Sequence, residues 1–346
     1  MARSRALADV SAANKNSMSH RDSLLRSLAD GSYHSGEDLA ASLGVTRAAV
    51  WKQIKKLASL GLQVESERGR GYRLAAPIEL LDPERLRATC RLGNGASLEA
   101  LDVFLEIDST NAFLVRNRSV SQNSLRVCCA EYQTLGRGRR ERKWMTPWGS
   151  GLCLSVAWCF SGSPRDLSAL TLATGVIVRR VVQAVTHADI RLKWPNDLVW
   201  QDRKLGGILI EMTAESHGLC QVVIGIGLNA NLSDQVMRTL CDWPAGAVDL
   251  STIMGGQVPS RNALAASLIS ELSNLLSDYE HAGFAPYAAE WRASDCLLNK
   301  EVSVMGARNE VSGFARGISD DGALLLELSS GSLKRIVAGD VSVRVS

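Results

Sequence analysis

Between Ala130 and Trp144 the chain reads Ala-Glu-Tyr-Gln-Thr-Leu-Gly-Arg-Gly-Arg-Arg-Glu-Arg-Lys-Trp, with Gly136 and Gly138 alternating with Arg137, Arg139 and Arg140. Glycine lets backbone N–H groups approach a ligand closely, and arginine adds a permanent charge with forked donors. Together they suit a multiply charged anion such as a nucleotide phosphate. Five cationic side chains fall within the seven residues 137–143. Their mutual repulsion predicts a loop that stays mobile until an anion arrives. Taken alone, the stretch fits equally a solvated basic loop or a nucleic-acid patch.

Other chemistries find little support. No G-x-x-x-x-G-K-[ST] run occurs, so a P-loop is excluded. Gly225-Ile-Gly-Leu-Asn-Ala230 partly mimics a dinucleotide fingerprint, but no helix-like run follows it. The five histidines are dispersed without metal-ligand spacing, and Ser109 lacks a nucleophile-elbow context. A site without an obvious nucleophile favours reactions driven by charge neutralisation and positioning.

Three further segments accompany the Gly-Arg loop. Residues 106–111 read Glu-Ile-Asp-Ser-Thr-Asn, residues 193–197 read Lys-Trp-Pro-Asn-Asp ahead of Lys204, and residues 223–231 read Val-Ile-Gly-Ile-Gly-Leu-Asn-Ala-Asn. In this order and spacing the set resembles the biotin protein ligases. The N-terminal segment resembles the winged-helix domain of their bifunctional members, which also repress the biotin operon. The resemblance runs from about Ser19 onward, with one departure at Glu141, where the family loop usually carries glycine.

That resemblance implies site roles. Ser109, Thr110 and Asn111 match the motif contacting the biotin ring system. Gln133 and Arg137-Gly138-Arg139 match positions around biotin and its adenylate, with Arg140 completing the cationic loop. Lys204 matches the lysine near the activated carboxyl and the α-phosphate, and Lys193 and Asp197 fall in a motif linked to adenylation. Asn229 resembles the residue that reads adenine, Trp243 a tryptophan covering it, and Arg316 a C-terminal arginine reaching the nucleotide. No metal ligands are assigned beyond magnesium arriving with ATP. Each position also has a plainer reading. Ser109 could cap a helix, Trp144 and Trp194 could be core aromatics, and Lys204 and Asp197 could serve turns. Arg316 could be a solvated strand residue.

The elements that would position these groups fall into three parts. From residue 19 to 76, Leu24, Leu25 and Leu28 give one face of a short helix. Ser35–Gly44 reads as a second helix, and Thr46 caps a third with Val50, Ile54 and Leu57 at helical spacing. Two short strands around Arg68-Gly-Arg-Gly complete a winged helix-turn-helix. Arg47, Lys52, Lys55 and Lys56 on the third helix, with Arg68 and Arg70 at the wing tip, are the candidate DNA-binding cations. Residues 77–97 read as a linker with a short helix. Residues 98–295 alternate strand-like runs with two long apolar helices, which predicts an α/β domain with a mixed sheet backed by helices; the resemblance makes it a catalytic domain of the biotin/lipoate ligase type. Residues 296–346 are short strands with an Asp-Asp-Gly turn, a small β-domain that the resemblance makes an SH3-like barrel. The whole is an α+β multidomain chain. Residues 1–18 are polar and alanine-rich, and are expected to be a disordered tail or, through residue 17, an artefact of start-codon choice.

Bulk properties agree. The 346 residues carry a net charge of +3, so nucleic-acid contact must come from a local patch. Residues 19–75 hold nine Lys/Arg against six Asp/Glu. Eight scattered cysteines without a C-x-x-C pair predict reduced core residues of a cytoplasmic protein, and no apolar run reaches membrane-spanning length.

The resemblance therefore implies an ATP-dependent ligase that joins biotin to AMP. It then transfers biotin to a lysine of the biotin carboxyl carrier protein of acetyl-CoA carboxylase. The resemblance adds operator DNA as a partner and homodimerisation on adenylate binding. The alternatives are a catalytically silent biotin sensor, a lipoate- or octanoate-type acyl ligase, and a ligase with a vestigial DNA domain.

Overall fold

The computed structural model describes residues 19–346 apart from 94, 118–120, 162–166, 168, 215–218, 234–235, 238–244, 307–309, 339–341 and 346. The expected tail and Trp243 therefore lie outside the described residues. The chain divides into two compact units, Met1–Leu80 and Leu81–Ser346.

In the first unit, three helices are each started by a hydroxyl cap. Ser19 caps α1 (His20–Leu28), Ser35 caps α2 (Gly36–Leu43) and Thr46 caps α3 (Arg47–Ser59), each accepting from a backbone N–H in the first turn. Gly44 closes α2 in the left-handed region, at φ 64°. Leu24, Leu25, Leu28, Leu39, Val50, Ile54 and Leu57 are buried, the helical stripes expected of a three-helix core. Strands β1 (Val64–Glu67) and β2 (Gly71–Leu74) pair antiparallel, leaving Arg68, Gly69 and Arg70 at the turn. This is the winged helix-turn-helix.

The second unit is organised by a seven-stranded mixed sheet. Its strands are β3 (Ser97–Ile107), β4 (Ser124–Gln133), β5 (Gly151–Phe160), β6 (Arg191–Lys193), β7 (Asp197–Trp200), β8 (Arg203–Ala214) and β9 (Cys220–Asn229). The spatial order is β3-β4-β5-β9-β8-β7-β6, with β3 and β4 parallel and all other pairs antiparallel. The parallel pair is joined through α5 (Thr110–Arg116), after the short α4 (Pro83–Thr89).

Side chains alternate across a strand, and here the alternation separates core from cavity. Leu152, Leu154, Val156 and Trp158 of β5, with Val222, Ile224, Ile226 and Leu228 of β9, face the main core. That core also takes buried residues of α6 (Leu170–Thr186), α8 (Arg261–Ala282) and α9 (Ala285–Ala293), which follow the short α7 (Leu250–Ile253). Cys153, Ser155 and Ala157 face the other way, towards α5 and the cavity. Strands β6 to β8 carry the Lys193–Asp197 segment and Lys204, which the sequence reading treated only as a motif. They are short or glycine-containing, so they carry a weak strand signal.

Strands β10 (Glu301–Met305), β11 (Glu310–Ile318), β12 (Leu324–Glu327), β13 (Leu333–Ile336) and β14 (Ser342–Val345) form a separate antiparallel sheet, ordered β13-β12-β11-β10-β14. Val302, Val304, Ala315, Ile318, Leu324, Leu326 and Val343 on it share one core with the seven-stranded sheet. The two sheets thus form one unit.

Two buried charges anchor this unit. Arg261 at the start of α8 donates to Glu131 on β4 at 2.7 Å and to the Gly151 carbonyl at 3.0 Å, with both side chains essentially inaccessible. The other Glu131 oxygen accepts from the Leu81 N–H. Removing one partner strands a buried charge. Arg261→Ala is expected to lower the unfolding free energy by about 3–5 kcal/mol in denaturant titration. A loss under 1 kcal/mol would contradict this assignment.

Asp295 lies between α9 and β10, against β6. It forms a bridge with Leu192, and its Oδ1 accepts from Leu297 N–H at 2.8 Å. Burial pushes its carboxyl up to about 6, with the Leu297 N–H, Arg191 and Lys300 opposing. The folded state therefore holds this proton more tightly than the unfolded chain. The stability it contributes is complete below about pH 4 and is lost as pH rises through 6. Asp295→Asn cannot ionise, so it should stabilise the protein at pH 7 by up to about 3 kcal/mol and change little at pH 3.5. Thermal unfolding at both pH values checks the sign.

Candidate functional site

A cavity of about 470 Å³ lies on the glycine-bearing side of the seven-stranded sheet. It is lined by the start of α5, the Gly136–Met145 loop, the β6–β7 turn, and β5, β8 and β9, with Val343 and Arg344 of β14 closing one side. Twelve sequence-predicted residues line it together, ten of them Ser109, Thr110, Asn111, Gln133, Arg137, Gly138, Arg139, Arg140, Lys193 and Asp197. Lys204 and Asn229 line it as well.

At one end, α5 begins against β5. Ser109 caps the helix, its hydroxyl accepting from Ala112 N–H at 3.3 Å, so the plain capping reading holds for that atom even though the residue borders the cavity. Thr110 donates from its N–H and hydroxyl to Gln133 Oε1 at 2.8 and 3.1 Å. The fully buried Ser155 Oγ lies 2.7 Å from Thr110 Oγ1 and 2.6 Å from Asn111 Oδ1. Asn111 Nδ2 donates to Glu211 at 2.9 Å, and Arg137 donates to the same Glu211 oxygen at 3.1 Å. A continuous polar chain thus runs from Gln133 through Ser155 to Arg137. Such fixed hydroxyl and amide groups suit a small ligand with its own donors and acceptors.

The glycines of β9 create the space. A Cβ at Gly225 would collide with the Asn111 side chain, and one at Gly227 with the Trp144 indole. Asn229, two residues further on the same face, donates from Nδ2 to the Lys204 and Val248 carbonyls at 3.3 and 3.0 Å. Its Oδ1 is buried without a hydrogen-bond partner among the described residues. A buried acceptor left open in a cavity wall is suited to an amino donor on a ligand.

The other end is cationic. The β6–β7 turn contains a cis Trp194–Pro195 bond, and Trp194 is a core aromatic whose Nε1 donates to Gly322 O at 3.1 Å. The turn delivers Lys193, Asn196 and Asp197 to the cavity. Lys204 Nζ sits 2.6 Å from Asp197 Oδ1, an ion pair without the angles of an aligned hydrogen bond. Burial holds the Lys193 ammonium below its ordinary value, with Asp197 partly offsetting. An anion entering here would restore its preference for the charged form. The thiol of Cys153 borders the same space, but burial pushes it up to about 11, so it is protonated at neutral pH and is no nucleophile.

The loop differs from the expectation of an untethered, mutually repelling segment. It is a small hairpin, with Trp144 N–H donating to Gly136 O at 2.9 Å and Gly138 N–H to Arg142 O at 2.7 Å. Arg137 is paired with Glu211, Arg139 donates to Asn196 Oδ1 at 3.2 Å, and Arg140 donates to the Met305 carbonyl at 3.4 Å. At its tip Arg140 and Glu141 both adopt left-handed backbone, φ 55° and 58°. That conformation costs a non-glycine residue about 1–2 kcal/mol.

Arg316 is not brought to this cavity. It pairs with Glu327 across β11 and β12 and donates to Asn299 Oδ1 at 2.6 Å, while Arg344 of β14 lines the space instead. Strand alternation is the reason: Arg316 is on the exposed face of β11, whereas Ala315 is buried. In the first unit, Arg47, Lys52, Lys55 and Lys56 are exposed on α3. Arg47 is paired with Glu37 at 2.9 Å and Arg70 with Glu67 at 3.0 Å. Arg68 is exposed at the wing turn.

Sequence reasoning did not single out Ser155, Asn196, Glu211 or Arg344. Period-two alternation offered a signal for one of them, and for the open face of the neighbouring strand. Ser155 interrupts the apolar run of β5, and Gly225, Gly227 and Asn229 mark one side of β9. Nothing local marked Glu211, whose role depends on a partner 74 residues away.

Comparison with known proteins places these features in context. The biotin/lipoate A/B protein ligase family matches residues 103–229, an HTH domain family residues 20–73, and the biotin protein ligase C terminal domain residues 297–344. The bifunctional ligase/repressor BirA of Escherichia coli K12 is 39% identical over 321 residues, covering 93% of this chain and 96% of the relative. The BirA of Bacillus subtilis is 30% identical, covering 92% and 96%. Among solved structures, the biotin protein ligase of Aquifex aeolicus in complex with biotin and ATP superposes with a TM-score of 0.59 at 26% identity, covering 72% of this chain and all of that one.

The Glu211 contact can be tested directly. A half-exposed ion pair contributes up to about 1 kcal/mol. Glu211→Gln should therefore speed tryptic cleavage within residues 137–143 by about two- to fivefold, mapped by mass spectrometry. An unchanged cleavage rate would show that Glu211 does not hold the loop.

Proposed function

The chain belongs to the bifunctional ligase/repressor family of biotin protein ligases, and on that premise we propose that it activates biotin with ATP, transfers it to a carrier protein, and represses transcription when carrying the adenylate. One observation carries the catalytic part: the Gly-Arg loop, the Lys193–Asp197 turn and Lys204 meet at one cavity whose far end is the Ser109–Asn111 polar network.

In the first half-reaction a biotin carboxylate oxygen attacks the α-phosphorus of ATP. A bond to that phosphorus forms, the bond to the bridging oxygen breaks, and pyrophosphate leaves. Both reactants are anionic, so the barrier falls when cations screen their repulsion and stabilise charge on the phosphoryl oxygens. Arg137, Arg139, Arg140, Lys193 and Lys204 are the groups for that task. Asp197 holds Lys204 in place through the ion pair. Thr110, Asn111 and Gln133 would bind the biotin ring, and Asn229 would accept from the adenine amino group. The adenylate is prone to hydrolysis, and the loop hairpin over the cavity would shield it.

Magnesium enters this reading as the counter-ion of ATP. No group of three or more metal-ligating side chains occurs among the described residues. Such a site fits magnesium held mainly by phosphate oxygens and water, with Asp197 the carboxylate at hand. When bound it would neutralise charge on the departing pyrophosphate.

In the second half-reaction a carrier lysine loses a proton, attacks the acyl carbon and releases AMP. The carrier is proposed to be the biotin carboxyl carrier protein of acetyl-CoA carboxylase. Arg47, Lys52, Lys55, Lys56, Arg68 and Arg70 are proposed to contact operator DNA, with homodimerisation on adenylate binding matching a two-fold operator. A cytoplasmic location accords with these partners; among the described residues no helix is long and apolar enough to cross a membrane.

Pyrophosphate release from ATP and magnesium, with biotin, lipoate or octanoate supplied in turn, tests the reading. Biotin alone should drive release, and the carrier should gain the mass of one biotinyl group. Release with lipoate or octanoate instead would overturn the substrate assignment. Lys204→Met should slow biotin-dependent release by about 10²–10³-fold, the usual cost of one oxyanion-stabilising group. Asp197→Asn separates two roles. Slower adenylation with unchanged transfer from preformed adenylate assigns Asp197 to holding Lys204 rather than to deprotonating the carrier lysine.

A further inference from the structure

Helix α3 buries Val50, Ile54 and Leu57, and along its flank, about a quarter turn round from them, it carries Arg47, Trp51 and Lys55 at successive four-residue steps. Residues four apart on a helix lie one above the other, so these three form a single exposed stripe. Trp51 is half exposed at 50%, an indole left in water in the middle of that stripe. Lys55 Nζ lies 3.8 Å from the centroid of its ring, a cation–π contact that orients the indole and covers one of its faces. Ala48, one turn before it, is small and exposed, so the indole stands out from the helix surface.

The surroundings identify the partner chemistry. The helix carries Arg47, Lys52, Lys55 and Lys56 and no acidic residue. A surface of this kind is complementary to a polyanion, and an apolar group set within it must meet an apolar group of that polyanion. The floor of the DNA major groove offers one such group, the C5-methyl of thymine. Recognition helices present the residues of their N-terminal half to base edges while flanking cations hold phosphates. Trp51 is the fifth residue of the helix. We infer that Trp51 is a base-reading residue of the DNA-binding unit, packing its indole against a thymine methyl in the major groove. This rests on the DNA-binding reading above and deepens it, by naming an apolar side chain that meets a base edge beside cations that can hold phosphates.

The test uses the full chain with biotin, ATP and magnesium to select duplexes from a random-sequence pool, in parallel with Trp51→Ala and Trp51→Phe. Each thymine in the selected site is then replaced singly by deoxyuridine, which keeps base pairing and removes only the methyl group. The unsubstituted chain should lose about fourfold in affinity at one thymine per half-site, the worth of one buried methyl. Trp51→Ala should bind more weakly and show no response to that replacement, and Trp51→Phe should keep part of the response. Identical selected sequences and an identical deoxyuridine response in Trp51→Ala would overturn the inference while leaving DNA binding intact. Unchanged DNA selection with a smaller ligand-bound assembly by light scattering would make the indole a protein contact, and also overturn it. Retention of no specific duplex by the unsubstituted chain would remove the DNA-binding reading, and this inference with it.

Discussion

Cations gathered around one cavity repel each other, and the second unit is arranged around that constraint. Arg137, Arg139, Arg140, Lys193, Lys204 and Arg344 all border the same space. Each like-charge approach costs energy that falls off only slowly in a partly dehydrated site. The observed solution is to distribute acceptors from different elements: Glu211 of β8 for Arg137, Asp197 of β7 for Lys204, the Asn196 amide for Arg139, and a main-chain carbonyl of β10 for Arg140. No single element supplies them all. The cavity is therefore a product of the two sheets folding together, and an arriving anion finds positive charge already positioned.

The seven-stranded sheet makes this affordable because its two faces have opposite tasks. One is apolar and covered by α6 and α8, which supplies the hydrophobic stabilisation. The other carries Ser155, Gly225, Gly227 and Asn229 where bulky residues would otherwise pack. Removing side chains from that face weakens the strands locally, and it opens room for Trp144 and Asn111 to approach the backbone. The buried Glu131–Arg261 pair ties β4 to α8 from the core side, which fixes the strand that leads into Gln133 and the Gly-Arg loop.

The first unit follows a different logic. Its three capped helices bury a small leucine-rich core and leave one face of α3 for solvent or a partner. Charge is concentrated there by composition alone, whereas the cavity of the second unit concentrates charge by convergence of distant segments. In a ligase/repressor the two are coupled only to the extent that one ligand has different affinities for different assembled states.

Much of this organisation was legible in the amino-acid order. The hydroxyl cap at Thr46, leucine spacing at Leu24, Leu25 and Leu28, and the apolar run of residues 151–158 are local signals, so the winged helix-turn-helix, the long helices and most strands could be read directly. The loop around Gly136 pointed to an anion-binding site because glycine and arginine bear their chemistry in their own structure, whereas the segments around Ser109 and Lys193 took their roles from the family resemblance. What only the tertiary structure decided were relations across long separations. It paired Glu211 with Arg137, brought Ser155 beneath Thr110 and Asn111, kept Arg316 on an outward face, and placed Arg344 at the cavity instead. Local sequence sets conformational preference over a few residues. Which side chains meet depends on sheet order and strand register, and those follow from burying the whole apolar surface at once.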